Sequence, residues 1–376
     1  MLPVFLLALG FSSFQVGAVV TASLLGSAVL TLATGMWAHR FPPLQLLRAA
    51  SWVMIATGIA FGLSTNFILL LTLAVVGTMN PSAGDVSPFL PLEQSLLSAS
   101  VSDADRTRMF ATYNLVGSLV GSLGALCSGL PIAIARALDA SEQSGRRASF
   151  VLYGAMGFVE LIAYNRLKPA PHIRTARGAG GLTDSRRIVY KLSALFSLDS
   201  FGGGFAGQAI FALWVYNKYD MSTQTLGVVF FIVGLISAFS SLLAVRVARS
   251  IGLVRTMVFT HIPASILLIL VALSPNVWLA MSFFIARSLL SQMDVPVRTS
   301  YVMAVVAPAE RAAAASITNV PRSLASALPP LAAGWMLDRS TFGWPLLVCA
   351  VLKITYDLLL LWMFHDVRPP EERASA

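Results

Sequence analysis

Residues 103–123, DADRTRMFATYNLVGSLVGSL, align without gaps on residues 308–328, PAERAAAASITNVPRSLASAL, at an offset of 205. Asp105–Arg106 falls on Glu310–Arg311, Asn114 on Asn319 and Leu119 on Leu324. Self-similarity at about half the chain length marks an internal duplication. A second echo pairs GMWAHR (35–40) with AVRVAR (244–249), each ending in arginine after an apolar run. Outward from these repeats the chain of 376 residues is 56% apolar and 11% charged, where a soluble domain carries about 25% charged residues. Its mean hydropathy is +0.76. These values exclude a soluble enzyme and describe a polytopic helical membrane protein.

Apolar runs bounded by breakers predict spans near 15–37, 45–64, 67–97, 109–135, 148–166, 191–216, 224–246, 253–274, 277–306, 310–337 and 342–364. Ahead of them stands MLPVFLLALG, which as helix rises about 15 Å, half of the roughly 30 Å hydrocarbon core. With no basic residue before it and no small-residue cleavage site, it reads as the second half of a first span rather than a signal peptide. The expectation is eleven full spans plus a partial first.

The net charge of +9 does not form a nucleic-acid patch, because the 26 basic residues punctuate the gaps between apolar runs. Placing the gaps 38–48, 98–109, 166–191, 246–256 and 307–311 and the C-terminal tail on the cytoplasmic side gives them 17 basic residues against 5 in the opposite gaps. The expected division is an N-terminal bundle at 1–165, a glycine-rich cytoplasmic linker at 166–190, a C-terminal bundle at 191–366 and a cytoplasmic tail at 367–376. Cys127 and Cys349 lie far apart inside apolar runs and suggest packing, and four scattered histidines show no metal spacing. No cofactor is expected.

On these residues the chain resembles the major facilitator superfamily (MFS). GMWAHRFPPLQLLR keeps Gly35 and Arg40 of the superfamily's G-x-x-x-D-R-x-G-R-R loop, but has His39 for the aspartate and prolines for the second glycine. The counterpart at 244–255 keeps Arg249, Gly252 and Arg255 with Ala248 where an acid would sit. The resemblance implies an all-α MFS fold of two six-helix bundles related by a pseudo-two-fold axis, alternating access, and a monomer in the lipid bilayer. The expected location is a bacterial inner (plasma) membrane with the C-terminus cytoplasmic. Gly35, Arg40, Asp105, Arg106, Arg249, Glu310 and Arg311 are the gate candidates. Gly117, Gly121, Gly124 and Gly129 fit an exporter's glycine-rich helix, although close packing explains them as readily.

Ionisable groups within spans are functional candidates by default, since a charge at the bilayer centre costs about 2.5–3.5 kcal/mol on the mildest scale. In GTMNPSAGDVSPFLPLEQS (77–95) three prolines break a span around Asp85 and Glu93, and non-helical backbone at that depth lines protein or a water-filled cavity. An alternative pairs Glu93 with Arg106 or Arg108. In the second half Arg287, Asp294 and Arg298 share one helical face, with Pro296 expected to kink the helix; an internal Asp294–Arg298 pair is the alternative. Asp85, Glu93 and Asp294 are the proton-coupling candidates, with sodium as the alternative ion. Asn114, Gln208, Arg298 and Asn319 are the substrate-contact candidates, and Asn217 stands beside Gln208. Lys353 and Asp357, spaced i, i+4, are expected to neutralise each other, Arg287 or Asp199 singly to snorkel, and His261 to sit at the interface. Glu160 has no partner in its own helix. The reading is a proton-coupled secondary transporter of a small solute, with efflux as one direction; the alternative is a transport-inactive MFS-like sensor or scaffold. No nucleotide loop, nucleophile elbow or metal motif marks an enzyme.

Overall fold

A computed structural model of the chain describes residues 1–37, 41–79, 89–100, 103–167, 185–306, 310–365 and 367. Among them every regular element is a helix. The first half holds α1 (Leu2–Ala8), α2 (Ser13–Trp37), α3 (Pro43–Leu63), α4 (Phe67–Val76), α5 (Phe89–Ser100), α6 (Asp103–Leu126), α7 (Leu130–Ala137) and α8 (Glu142–Arg166). The second holds α9 (Arg186–Gly204), α10 (Gln208–Tyr219), α11 (Thr223–Ile251), α12 (Leu253–Leu273), α13 (Val277–Ser291), α14 (Asp294–Val305), α15 (Arg311–Ala327), α16 (Pro329–Arg339) and α17 (Trp344–Phe364). Seven of the described helical runs are long and apolar enough to cross a membrane.

Several expected spans are helix pairs, and the sequence explains each break. Phe205–Gly207 separate α9 from α10 after the glycine run 202–204. Pro329 and Pro330 open α16 immediately after α15; proline tolerates a first helical turn because its missing N–H has no intrahelical acceptor there. The same rule corrects the kink expected at Pro296. That proline lies in the first turn of α14, and the interruption falls earlier, at Gln292 and Met293. Arg287 therefore belongs to α13, ahead of the break, and lies within electrostatic range of Asp199 and Asp294.

Tight crossings hold the helices in place. A Cβ on Gly58 of α3 would lie 2.5 Å from the backbone nitrogen of Gly154 in α8, so the two backbones meet where only hydrogen fits. Around this crossing Phe61 stacks on Phe150 at 5.6 Å between ring centroids, and Phe5 of α1 meets Phe150 at 4.6 Å. In the second half Phe211 of α10 stacks on Phe284 of α13 at 3.8 Å. Helices from the two halves meet as α2 against α15 and α16, and as α6 against α11. Gly58→Leu should lower stability by about 1–3 kcal/mol through overpacking, read as a fall in thermal midpoint in detergent; an unchanged midpoint would contradict the crossing.

Candidate functional site

Four helices of the second half bring six ionisable side chains together in the protein interior. Asp199 of α9 is the hub: Lys353 of α17 donates to its Oδ1 at 2.6 Å and Arg298 of α14 to its Oδ2 at 3.2 Å. Asp294, one turn before Arg298, lies 3.5 Å from the same guanidinium nitrogen. On the other side the Lys353 ammonium reaches Nε2 of His261 in α12 at 3.4 Å, and His261 Nδ1 lies 3.0 Å from Oδ1 of Asp357. An ammonium can only donate, so Nε2 is the acceptor and the imidazole proton sits on Nδ1, directed at Asp357. Asp357 is wholly buried and its Oδ2 has no hydrogen-bond partner.

Burial accounts for this arrangement. The six groups are each less than a tenth exposed, and an uncompensated charge at such a position is strongly destabilising, whereas a hydrogen-bonded network of both signs is tolerated. The structure revises three expectations accordingly. Lys353 and Asp357 do not neutralise each other; one turns to Asp199 and the other to His261. His261 is a core residue rather than an interfacial one, and Asp199 does not snorkel. The Asp294–Arg298 ion pair is present, but Arg298 is shared with Asp199. Nearby, Nε of Arg322 in α15 donates to Oγ of Ser200 at 2.9 Å.

A second polar site lies in the first half. Glu93 of α5 accepts from the Tyr113 hydroxyl of α6 and, at 2.5 Å, from the Tyr164 hydroxyl of α8. Arg48 of α3 donates to the Tyr164 carbonyl at 3.2 Å. Glu160, one turn before Tyr164, lies within electrostatic range of Glu93, with its Oε2 buried and unpartnered. This supplies the neighbour that its own helix lacked. Asp85 and Arg40 lie outside the described residues, as do the surroundings of Gly35 and the side chains of Asp105, Arg106, Asn114 and Arg311. Gln208 opens α10 half-buried, while Asn319 and Arg249 are exposed. Buried Glu310 accepts from the Ser185 backbone N–H at 3.0 Å, tying the starts of α9 and α15 together.

Sequence reasoning missed a polar closure at the opposite end of the helices. The carboxylate of Asp338, in the last turn of α16, accepts from the Ser13 N–H at 2.6 Å and the Phe14 N–H at 2.9 Å. It therefore caps α2, a helix with no acid in its own first turn, at the end where peptide dipoles favour negative charge. Asn217 of α10 donates to the Ser13 hydroxyl at 3.0 Å, so this amide is engaged with α2. Beneath the cap, a Cβ on Gly17 would lie 2.3 Å from the Pro330 carbonyl and one on Gly334 2.4 Å from the Ser13 carbonyl. Ser12 and Gln15 close a capping box of their own, Gln15 N–H donating to Ser12 Oγ at 3.3 Å and Ser12 N–H to Gln15 Oε1 at 2.9 Å, which leaves the Ser13 and Phe14 amides for Asp338.

Residues 192–376 match the sequence profile described as Major Facilitator Superfamily. The second half of the chain belongs to that superfamily. The MFS chain shares its fold with a bacterial homologue of the human lysosomal transporter Spinster, in an inward-facing and occupied conformation, with a TM-score of 0.76 and 15% identity over 98% of this chain and 94% of that one. The inward-open xylose transporter of E. coli superimposes with a TM-score of 0.72 and 13% identity over 94% and 86% of the two chains. An uncharacterized membrane protein of Saccharomyces cerevisiae is 24% identical, over 97% of this chain and 90% of its own length. The profile match and the seven apolar helices of spanning length make this a multi-pass membrane protein.

Lys353→Met should destabilise the protein by about 3–5 kcal/mol by leaving Asp199 under-compensated; Lys353→Met with Asp199→Asn should recover much of that, and unfolding in detergent measures both. Asp338→Ala removes the acceptor of the Ser13 and Phe14 amides, worth about 1 kcal/mol, so with Cys127→Ser as background a Phe14→Cys probe should label severalfold faster with a polar maleimide than in the protein that keeps Asp338.

Proposed function

We propose that the protein is a secondary active transporter that moves a small solute by alternating access, with protons as the coupling ion. Two six-helix bundles, residues 1–165 and 191–366, rock about the contacts of α2 with α15 and α16 and of α6 with α11. The 166–190 segment joins them on the cytoplasmic side, where the positive-inside count also puts the C-terminus. The Asp338 cap then belongs to the outer gate. The duplicated segments at 103–123 and 308–328 support the two-bundle reading.

The observation that carries the coupling hypothesis is the sharing of Arg298 between Asp199 and Asp294 inside the membrane. Lys353 compensates Asp199 independently, so Asp294 is the carboxylate that can take a proton without stranding an opposite charge. When it does, Arg298 loses one of two anionic partners and becomes available to a polar or anionic group on the solute. Glu93 supplies the corresponding position in the first half. Among the described residues its hydrogen-bond partners are two tyrosine hydroxyls and no cation. Asp85, on the same broken span, is the third candidate. Gln208 and Asn319, with Asn114, remain the polar solute contacts in this scheme, and the reaction is transport rather than catalysis.

Proton flux in everted vesicles, challenged with a panel of sugars, organic acids, amines and drugs, tests this and reads the direction of transport. One solute class should discharge the proton gradient in wild type. Asp294→Asn or Glu93→Gln should lose at least tenfold of the coupled flux while the protein stays folded. Wild-type coupling in both variants, and in Asp85→Asn, would overturn the assignment of these carboxylates.

A further inference from the structure

Among the described cations in the interior of the second half, Arg287 of α13 is left unbonded. Lys353 and Arg298 bond Asp199, and Arg322 bonds Ser200. The Arg287 guanidinium makes no hydrogen bond and no ion pair among the described residues, and its Nε is buried. Asp199, Asp294 and the Cys349 thiol lie within electrostatic range of it, but none bonds it. A guanidinium keeps its charge and offers five N–H donors, so an unbonded one between helices is costly. Arg287 is half-buried rather than sealed, which leaves room for an ion to reach it.

Lys353 points to the same ligand. Of its three N–H donors, one goes to Asp199 and one to His261, which leaves the third unassigned among the described residues. A Cβ on Gly203 would meet only the Lys353 side chain, with Cε and Nζ both at 3.7 Å. The glycine therefore leaves a gap in α9 beside the ammonium, and both Gly203 and Gln208, past the α9–α10 break, are half-buried. Cys349 lies within electrostatic range of Lys353 and Arg287 alike, which places the spare ammonium donor and the unbonded guanidinium on one flank of the network. Charge balance adds a third argument. With His261 neutral, the network and Arg287 hold three carboxylates, Asp199, Asp294 and Asp357, against three cations, Lys353, Arg298 and Arg287. A proton on Asp294 leaves one positive charge in excess, and a single negative charge from outside restores the balance.

We propose that Arg287, with the spare donor of Lys353, binds the anionic group of a solute that carries one negative charge, and that this anion crosses together with one proton in the same direction. The inference names the solute class of the pathway proposed above and rests on that reading, with Asp294 as the proton site. The planar fork of Arg287 suits a carboxylate or a sulfonate. An amine would add to the excess positive charge, a neutral sugar would leave it standing, and the loaded transporter moves no net charge only with a monoanion.

The test uses the full chain in liposomes with a pH dye in the lumen, where the sign of the pH change does not depend on protein orientation. The probes are glucuronate, pantothenate and isethionate, with glucose and pantothenol as neutral counterparts. At least one anion should acidify the lumen, in protein-bearing and not in protein-free liposomes, while the neutral counterparts do not. Clamping the potential with valinomycin and equal potassium should leave the rate unchanged. Arg287→Gln should raise the KM for the anion about tenfold; should that variant fail to fold, Arg287→Lys, which keeps the charge and loses the fork, should raise KM by itself. Luminal alkalinisation, a rate that valinomycin raises, a response to the neutral counterparts instead, or an unchanged KM in the Arg287 variants overturns the inference and leaves the transporter reading standing. The thermal midpoint in detergent separates the opposite failure: if no solute moves protons, yet an anion raises the midpoint of wild type and not of Arg287→Gln, the anion site stands and the transporter reading falls. No anion response in either assay overturns the inference.

Discussion

The double engagement of Asp199 organises the second half of the molecule. A buried carboxylate is costly unless partners come to it, and here two cations come from two other helices, Lys353 at 2.6 Å and Arg298 at 3.2 Å. That requirement places α17 and α14 around α9. Because Lys353 also faces His261, it draws in α12, and the histidine in turn receives Asp357 from α17. Each group satisfies one neighbour and needs another, so the spacing of four helices is set by electrostatics as much as by aromatic packing such as Phe196 against Tyr356.

The two halves solve the problem differently. In the second, opposite charges close upon one another, and Arg298 is the group with two anionic claims on it. In the first, Glu93 is held by neutral hydroxyls and has Glu160 for a neighbour.

Much of this was legible in the sequence, and what was not has identifiable causes. Hydrophobic runs, breakers and the 103–123 and 308–328 repeat depend on local composition, so helix content and membrane character followed directly. The list of intramembrane charges was also readable, since a charge within an apolar run is conspicuous anywhere. Its pairing was not: Lys353 and Asp357 look matched because they are one turn apart, yet Asp199, 154 residues away in sequence, wins the lysine. Helical periodicity reports neighbours within a helix and is silent on contacts between helices. For the same reason Asp338 passed as an ordinary residue at a helix end, and Pro296 as a kink when its position suits a helix start.

The cap that Asp338 places on α2 has an asymmetry with an evolutionary consequence. Its acceptor is a side chain, but its donors are two main-chain amides, which every residue except proline supplies. Drift at positions 13 and 14 can therefore alter the Asn217 contact without touching the cap, whereas a single change at 338 removes it. This contact is inherited through one codon, and a search for paired substitutions across the two halves would pass over it.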